Sequence, residues 1–213
     1  MQFEVDAEKA TQALNYFARK QHDHIISKLA AIKLVFFADR YHLRRYGRPV
    51  VGDTYFAMQY GPVASTVLAI ADASANAEVQ AYASQYVFSI PNPNGNPREL
   101  RSLREVDPDV FARTDIEALE FAYDNFWAHD PFRMVDITHV YPEWKKHEAA
   151  LASEKGSRRQ PMDYSDFFCD PDPELLKEMG ITDPYKDDPE ALALTQELAE
   201  DRSRANYLLL HHQ

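Results

Sequence analysis

The chain has 213 residues, of which 45% are hydrophobic and 27% charged, and its formal charge is −11. That length supports one packed domain, or one domain with an appendage, and the balance is that of a globular protein rather than a disordered one. The negative charge argues against a protein that coats nucleic acid, and a single cysteine, Cys169, leaves no internal disulfide and no multi-cysteine metal site.

The chain begins Met1-Gln2-Phe3-Glu4-Val5-Asp6, without a basic stretch leading into an apolar core, and no later run approaches the roughly 20 apolar residues of a bilayer span. The reading is a cytoplasmic protein with no membrane partner. Asp6 can cap a helix running to about Lys20, with Ala10, Leu14, Phe17 and Ala18 on one face. A second helix is predicted over about Ile25 to Tyr46, with Ile25, Leu29, Ile32, Phe36 and Leu43 as its apolar stripe and Gly47 as its stop. Phe37 and Tyr41 widen that stripe, as suits a central helix packed by several neighbours. Val50 to Gln59 is rich in β-branched and aromatic residues and broken by Gly52, which predicts a turn and then a strand. Tyr60-Gly61-Pro62-Val63 reads as a turn, with Pro62 near the first position of a short helix through Ala71.

Strands are predicted over Gln85 to Ile90 and around Glu99 to Val106, flanking the loop from Pro91 to Pro97 and closing a small antiparallel sheet. Thr114-Asp115-Ile116-Glu117 has the capping-box pattern, and Ile116, Leu119, Tyr123 and Phe126 continue it as a helix to about Ala128. A shorter helix follows near Met134, and Pro142 starts another to Leu151. Lys155 to Pro173 lacks periodicity and reads as a long surface loop. Asp188-Pro189 then opens a helix to about Leu210. The fold class is therefore mainly α (α+β): a helical domain, 1–154, around a central helix with a small antiparallel sheet, plus an acidic loop and C-terminal helical extension, 155–213. Between Asp163 and Asp201 there are 13 acidic residues and 2 basic ones, so the rest of the chain is neutral. That segment reads first as a solvated surface and second as a docking surface for a basic partner.

Residues that could carry chemistry are sparse. His22 and His24 have His-x-His spacing, and His139 and His147 could add ligands if their helices met. Surface or capping roles are favoured, so no metal and no cofactor is assigned. His211 and His212 read as tail residues. There is no GxSxG nucleophile elbow, six glycines are too few for a phosphate-cradling loop, and the acidic, aromatic surroundings of Cys169 disfavour a thiolate. Arg40, Arg44, Arg45 and Arg48 form a dense basic group. They read either as a stripe for a carboxylate or phosphate or, in the favoured reading, as helix-end cations paired with Asp39 or Asp53. Among the aromatics to watch are Tyr60, Trp144 and the Phe167-Phe168 pair, which sits in a polar loop and must fold back onto the core or reach a partner. The partner-facing set drawn from these readings is Asp39, Tyr41, Arg44, Arg45, Tyr60, Phe167 and Phe168.

Three blocks in order carry a family resemblance. They are Phe37-Ala38-Asp39-Arg40-Tyr41-His42 with Tyr46-Gly47-Arg48-Pro49, then Gly52-Asp53-Thr54-Tyr55, then Gln59-Tyr60-Gly61-Pro62-Val63. Thr138-His139 and Pro142-Glu143-Trp144 extend it, so that about residues 10 to 150 resemble the Panacea domain of SocA-like antitoxins. The resemblance implies a mainly helical domain that neutralises a neighbouring toxin by direct contact in bacterial and phage toxin–antitoxin systems, with phage defence among its settings. It also implies an adaptor role as an alternative, delivering the toxin to a protease. The motif residues carried over are Asp39, His42, Tyr46, Gly47, Gly52, Asp53, Tyr60, Gly61, Pro62, His139 and Trp144. An enzyme with a site near Asp39, His42 and Asp53 stands as the second class of reading, and a nucleic-acid regulator using the arginine stripe as a third that the overall charge disfavours.

Overall fold

Helix α2, Lys28–Tyr46, runs through the middle of the computed structural model, which describes residues 1–93, 95–153 and 156–211. Ala30 to Arg40 are buried without a break, so the helix is covered on every side rather than along one stripe. It ends at Gly47, whose φ of 67° is the left-handed C-cap conformation, with the Gly47 N–H donating to Leu43 O at 2.9 Å. The helix starts three residues later than its apolar pattern predicts. Ile25–Ser27 forms a short strand, β1, because Ile26 pairs with Leu100 and is buried in the sheet.

Helix α1, Ala7–Arg19, is capped by Asp6, whose carboxylate accepts the Lys9 N–H, and it packs its alanine, leucine and phenylalanine face on α2. On another side lies α5, Arg113–Phe126, where the Phe126 ring stacks on Phe37 at 3.6 Å. The capping box expected at Thr114 sits elsewhere. The helix begins at Arg113, and the Asp115 carboxylate reaches back to the Ala112 N–H at 3.0 Å.

The expected small antiparallel sheet is present, ordered β1-β5-β4, and a second three-stranded antiparallel sheet, ordered β3-β2-β6, stands beside it. In the first, β4 (Val87–Asn92) pairs with β5 (Gly95–Ser102), and Asn94 of the loop between them lies outside the described residues. In the second, β2 (Tyr55–Met58) turns at Gln59 and Tyr60 into β3 (Gly61–Ala64). Gly61-Pro62 thus continues a hairpin instead of starting a helix, and α3, Ser65–Ala71, follows it. Helix α4, Ala77–Ala83, lies where no element was predicted. The helix expected from Pro142 to Leu151 is broken into α7, Pro142–Lys145, and α8, Glu148–Ala152, after α6, Pro131–His139.

Residues 156–211 do not form a separate layer. β6, Gln160–Pro161, adds to β2, and a 3-10 turn at Tyr164–Phe168 inserts the Phe167 ring against Phe36 and Tyr55, both at 5.6 Å. Tyr185 donates its hydroxyl to Phe37 O at 3.0 Å. Helix α9, Pro173–Glu178, and helix α10, Pro189–His211, complete the chain, and α10 lies against the C-terminal end of α2, where Arg202 donates to Tyr46 O at 2.7 Å. The boundary drawn between 154 and 155 falls on Glu154 and Lys155, which lie outside the described residues, as does His212 and the side chain of His211. The hydrophobic cluster runs continuously from Ala10 through Phe37 to Phe167, Tyr185 and Ala199. Among the described residues no helix is long and apolar enough to cross a membrane.

Candidate partner-binding site

The hairpin β2–β3 is pinned to α2 by groups that the motifs supply. Asp39 is fully buried on α2, and its two carboxylate oxygens accept the Val51 N–H at 2.9 Å and the Tyr55 hydroxyl at 3.0 Å. Burial pushes its carboxyl up to about 7 against the pull of those two donors. Asp53 lies after Gly52 and takes four bonds, from Thr54 N–H, Thr66 N–H, the Thr66 hydroxyl and Val67 N–H, at 2.6 to 3.0 Å. It therefore caps α3 from outside the helix, supplying an acceptor for N–H groups that have none in the first turn. Tyr164 closes the same knot by donating to Asp53 O at 2.7 Å.

On the other side of the hairpin, Lys33 is fully buried and donates to Pro62 O at 2.8 Å. Burial lowers its ammonium from 10.5 to about 7. Gly61, at φ +88°, passes directly over it, and a Cβ there would stand 2.3 Å from Thr138 Oγ1 and 2.8 Å from Lys33 Nζ, so no larger residue fits. Trp144 holds the end of β2 by donating its indole N–H to Met58 O at 2.9 Å, and His139 stacks on the Trp144 ring at 3.5 Å. The result is a rigid hairpin whose turn projects Tyr60 outward, 54% exposed. Phe132, 65% exposed on the first turn of α6, meets the Tyr60 ring edge-on with centroids 6.4 Å apart. Two large exposed aromatics on a braced turn and a capped helix form a surface suited to insertion into a partner's pocket. Phe132 carries no signal of its own in the sequence, where it sits in an ordinary Asp-Pro-Phe helix start. Its neighbour across space, Tyr60, lies 72 residues earlier in the chain.

The other predicted site residues are placed elsewhere. His42 is buried, with Nδ1 2.6 Å from Arg48 O, which requires a proton on Nδ1, and Nε2 at 3.1 Å from the Thr114 hydroxyl. Burial lowers its imidazole to about 4. Asp39, His42 and Asp53 thus turn their polar atoms toward their own backbone and neighbours, not toward a shared cleft. Tyr41 and Tyr46 both donate to Glu117, at 2.8 Å each, and Arg45 lies exposed beside the same carboxylate. The arginines do not line up as a stripe, and none pairs with Asp39 or Asp53. Arg40 is fully buried between the Tyr141 and Tyr185 rings and bonds Glu143 at 2.9 Å. Arg48 meets Asp115 at 2.8 Å.

Arg44 binds Asp170 at 2.6 Å, Asp187 at 2.5 Å and Phe167 O at 3.0 Å. The acidic segment therefore finds part of its basic partner on its own α2. Phe167 and Phe168 are buried in the core, so their rings fold back and do not face a partner. Among the described residues no group of three or more histidine, cysteine or acidic side chains converges as a metal site.

Compared with known families, the chain matches the model described as "Antitoxin SocA-like, Panacea domain" over residues 32–145. That span holds α2 from Ile32 onward, both hairpins, α5, α6 and α7, and so contains both Tyr60 and Phe132. No curated protein and no solved structure matches the chain.

Proposed function

This chain belongs to the Panacea-domain family of SocA-like antitoxins, and from that premise we propose that it neutralises a cognate toxin in the cytoplasm by direct protein–protein contact, anchored at the Tyr60–Phe132 corner. The observation that supports this reading is that corner itself, where two exposed aromatic rings stand on elements braced by Lys33, Asp39, Asp53 and Trp144. Binding energy in protein interfaces concentrates in a few aromatic anchors held rigid before contact, because ordering a mobile side chain costs roughly 0.5–1.5 kcal/mol. The polar residues of the matched motifs do the bracing, which gives them a role without a reaction.

The experiment is to co-express the tagged chain with the product of the adjacent gene, recover the pair, and assay growth with that product alone. A stoichiometric partner that arrests growth unless this chain is present supports the reading. A chain recovered alone, beside a harmless neighbour, overturns it for this member.

A further inference from the structure

We propose that the outer edge of β4 accepts an extended acidic segment of a partner protein as a fourth strand of the sheet. This surface is separate from the Tyr60–Phe132 corner, and the proposal rests on reading the chain as a protein-binding module.

The order β1-β5-β4 leaves β4 with a strand on one side only. Two bonds give the direction of the backbone groups along the regular part of the β4–β5 ladder, Val87 to Ile90. Ser102 N–H donates to His24 O at 2.9 Å on the β1 side, and Leu103 N–H donates to Tyr86 O at 2.8 Å on the β4 side. Since direction alternates along a strand, Glu99 and Arg101 face β4, where their register partners are Ile90 and Phe88. The N–H groups and carbonyls of Val87 and Ser89 therefore point away from the sheet, in the stretch before the register shifts between Ile90 and Asn92. Among the described residues these groups meet no hydrogen-bond partner, and the Ser89 hydroxyl donates elsewhere, to Ala71 O at 2.9 Å.

Edge strands are usually blunted by charge, and Val87–Asn92 contains none, although Pro91 limits the usable edge to its first half. Beside the edge stands Phe88, 47% exposed on the outer face and directly opposite Arg101. Arg98, Arg101 and Arg104 have no carboxylate partner among the described residues, in a chain of charge −11 whose Arg19, Arg40, Arg44, Arg45 and Arg48 each have one. Glu99 is the one carboxylate within β5. A free peptide edge, an apolar contact and unneutralised guanidiniums together select an extended chain with acidic side chains. The backbone edge distinguishes that occupant from a nucleic acid, which the arginines alone would not.

The test uses the full chain and a short soluble peptide of alternating valine and glutamate. Controls are the same peptide with lysine for glutamate and a DNA oligonucleotide of equal charge. At saturating acidic peptide, amide exchange at Val87 and Ser89 slows by roughly tenfold or more. Arg101→Glu weakens binding by roughly fivefold or more while melting as the parent does, since that side chain is exposed and unpaired. Unchanged exchange at those two amides, equal binding by the lysine peptide, full binding by R101E, or stronger protection by the oligonucleotide would each overturn the proposal. Growth rescue bears on the antitoxin reading alone, so the two fail independently.

Discussion

Asp53 satisfies four donors with one carboxylate, and it does so for a helix of seven residues that has no cap of its own at Ala64. Asp53→Ala leaves buried N–H groups without an acceptor and is expected to cost about 3 kcal/mol in a denaturant titration. A loss under about 1 kcal/mol would show that α3 is held by packing alone. Lys33 makes a pH-dependent contribution. Its native amine titrates near 7, while the unfolded chain keeps the ordinary 10.5. Below about 7 both states are protonated and the native state bears the full cost of a buried charge. Between 7 and 10.5 the native state has released a proton that the unfolded state still holds, so this contribution to stability rises with pH. Asp39, raised to about 7, works in the opposite sense between its ordinary 3.8 and 7, which is why a difference between variant and parent is needed to isolate the lysine. Lys33→Met is expected to stabilise the protein by a few kcal/mol at about pH 6, with the gain fading as pH approaches the unfolded value. A gain independent of pH would contradict the assignment.

At the scale of elements, the C-terminal segment is where folding and charge meet. Arg44 ties the 3-10 turn, Asp170 and Asp187 to α2 from a nearly inaccessible position. Arg44→Ala leaves those groups unpaired and is expected to open residues 163–188 to limited proteolysis while α1, α2 and α5 keep their amide protection. Cleavage at the parent's rate would show that aromatic packing by Phe167 and Tyr185 suffices. The sequence announced α1, α2, α5 and the start of α10 through caps and helical spacing. It concealed β1, because Ile25 and Ile26 fit a helical stripe equally well, and the distinction comes from pairing with Arg101 and Leu100 far along the chain. It concealed β3 because Gly61-Pro62 reads as a turn. The glycine is there for a close approach to Thr138 and Lys33, which no local pattern reveals. Helix α4 buries only Ala83 among its residues, so it lacks the apolar periodicity on which prediction depends. Phe167-Phe168 had two possible destinations, and the deciding partners, Phe36, Tyr55 and Arg44, are all more than a hundred residues away in sequence.

For the whole molecule, the motifs that carry the family match mostly hold the fold, and of their residues only Tyr60 also belongs to the surface proposed to meet a partner. Asp39, His42, Gly61, Asp53 and Trp144 are buried or bonded to their own chain, so the residues that made the resemblance legible are ones that hold this fold together. Of the partner-facing set read from the sequence, Tyr60 and Arg45 are exposed, and Tyr41 is half-buried against Phe121. Phe132 joined them only through the fold. A scaffold of this form can keep its core while exposed residues outside the motifs, Phe132 among them, vary with the partner. The most direct test is growth of cells expressing the recovered partner with either the parent chain or Tyr60→Ala/Phe132→Ala, both proteins first shown to melt at the same temperature. The account predicts that the parent restores growth and the double variant does not, with affinity reduced by roughly a hundredfold or more as two anchors are lost. Full rescue by the double variant, at equal expression, would contradict it.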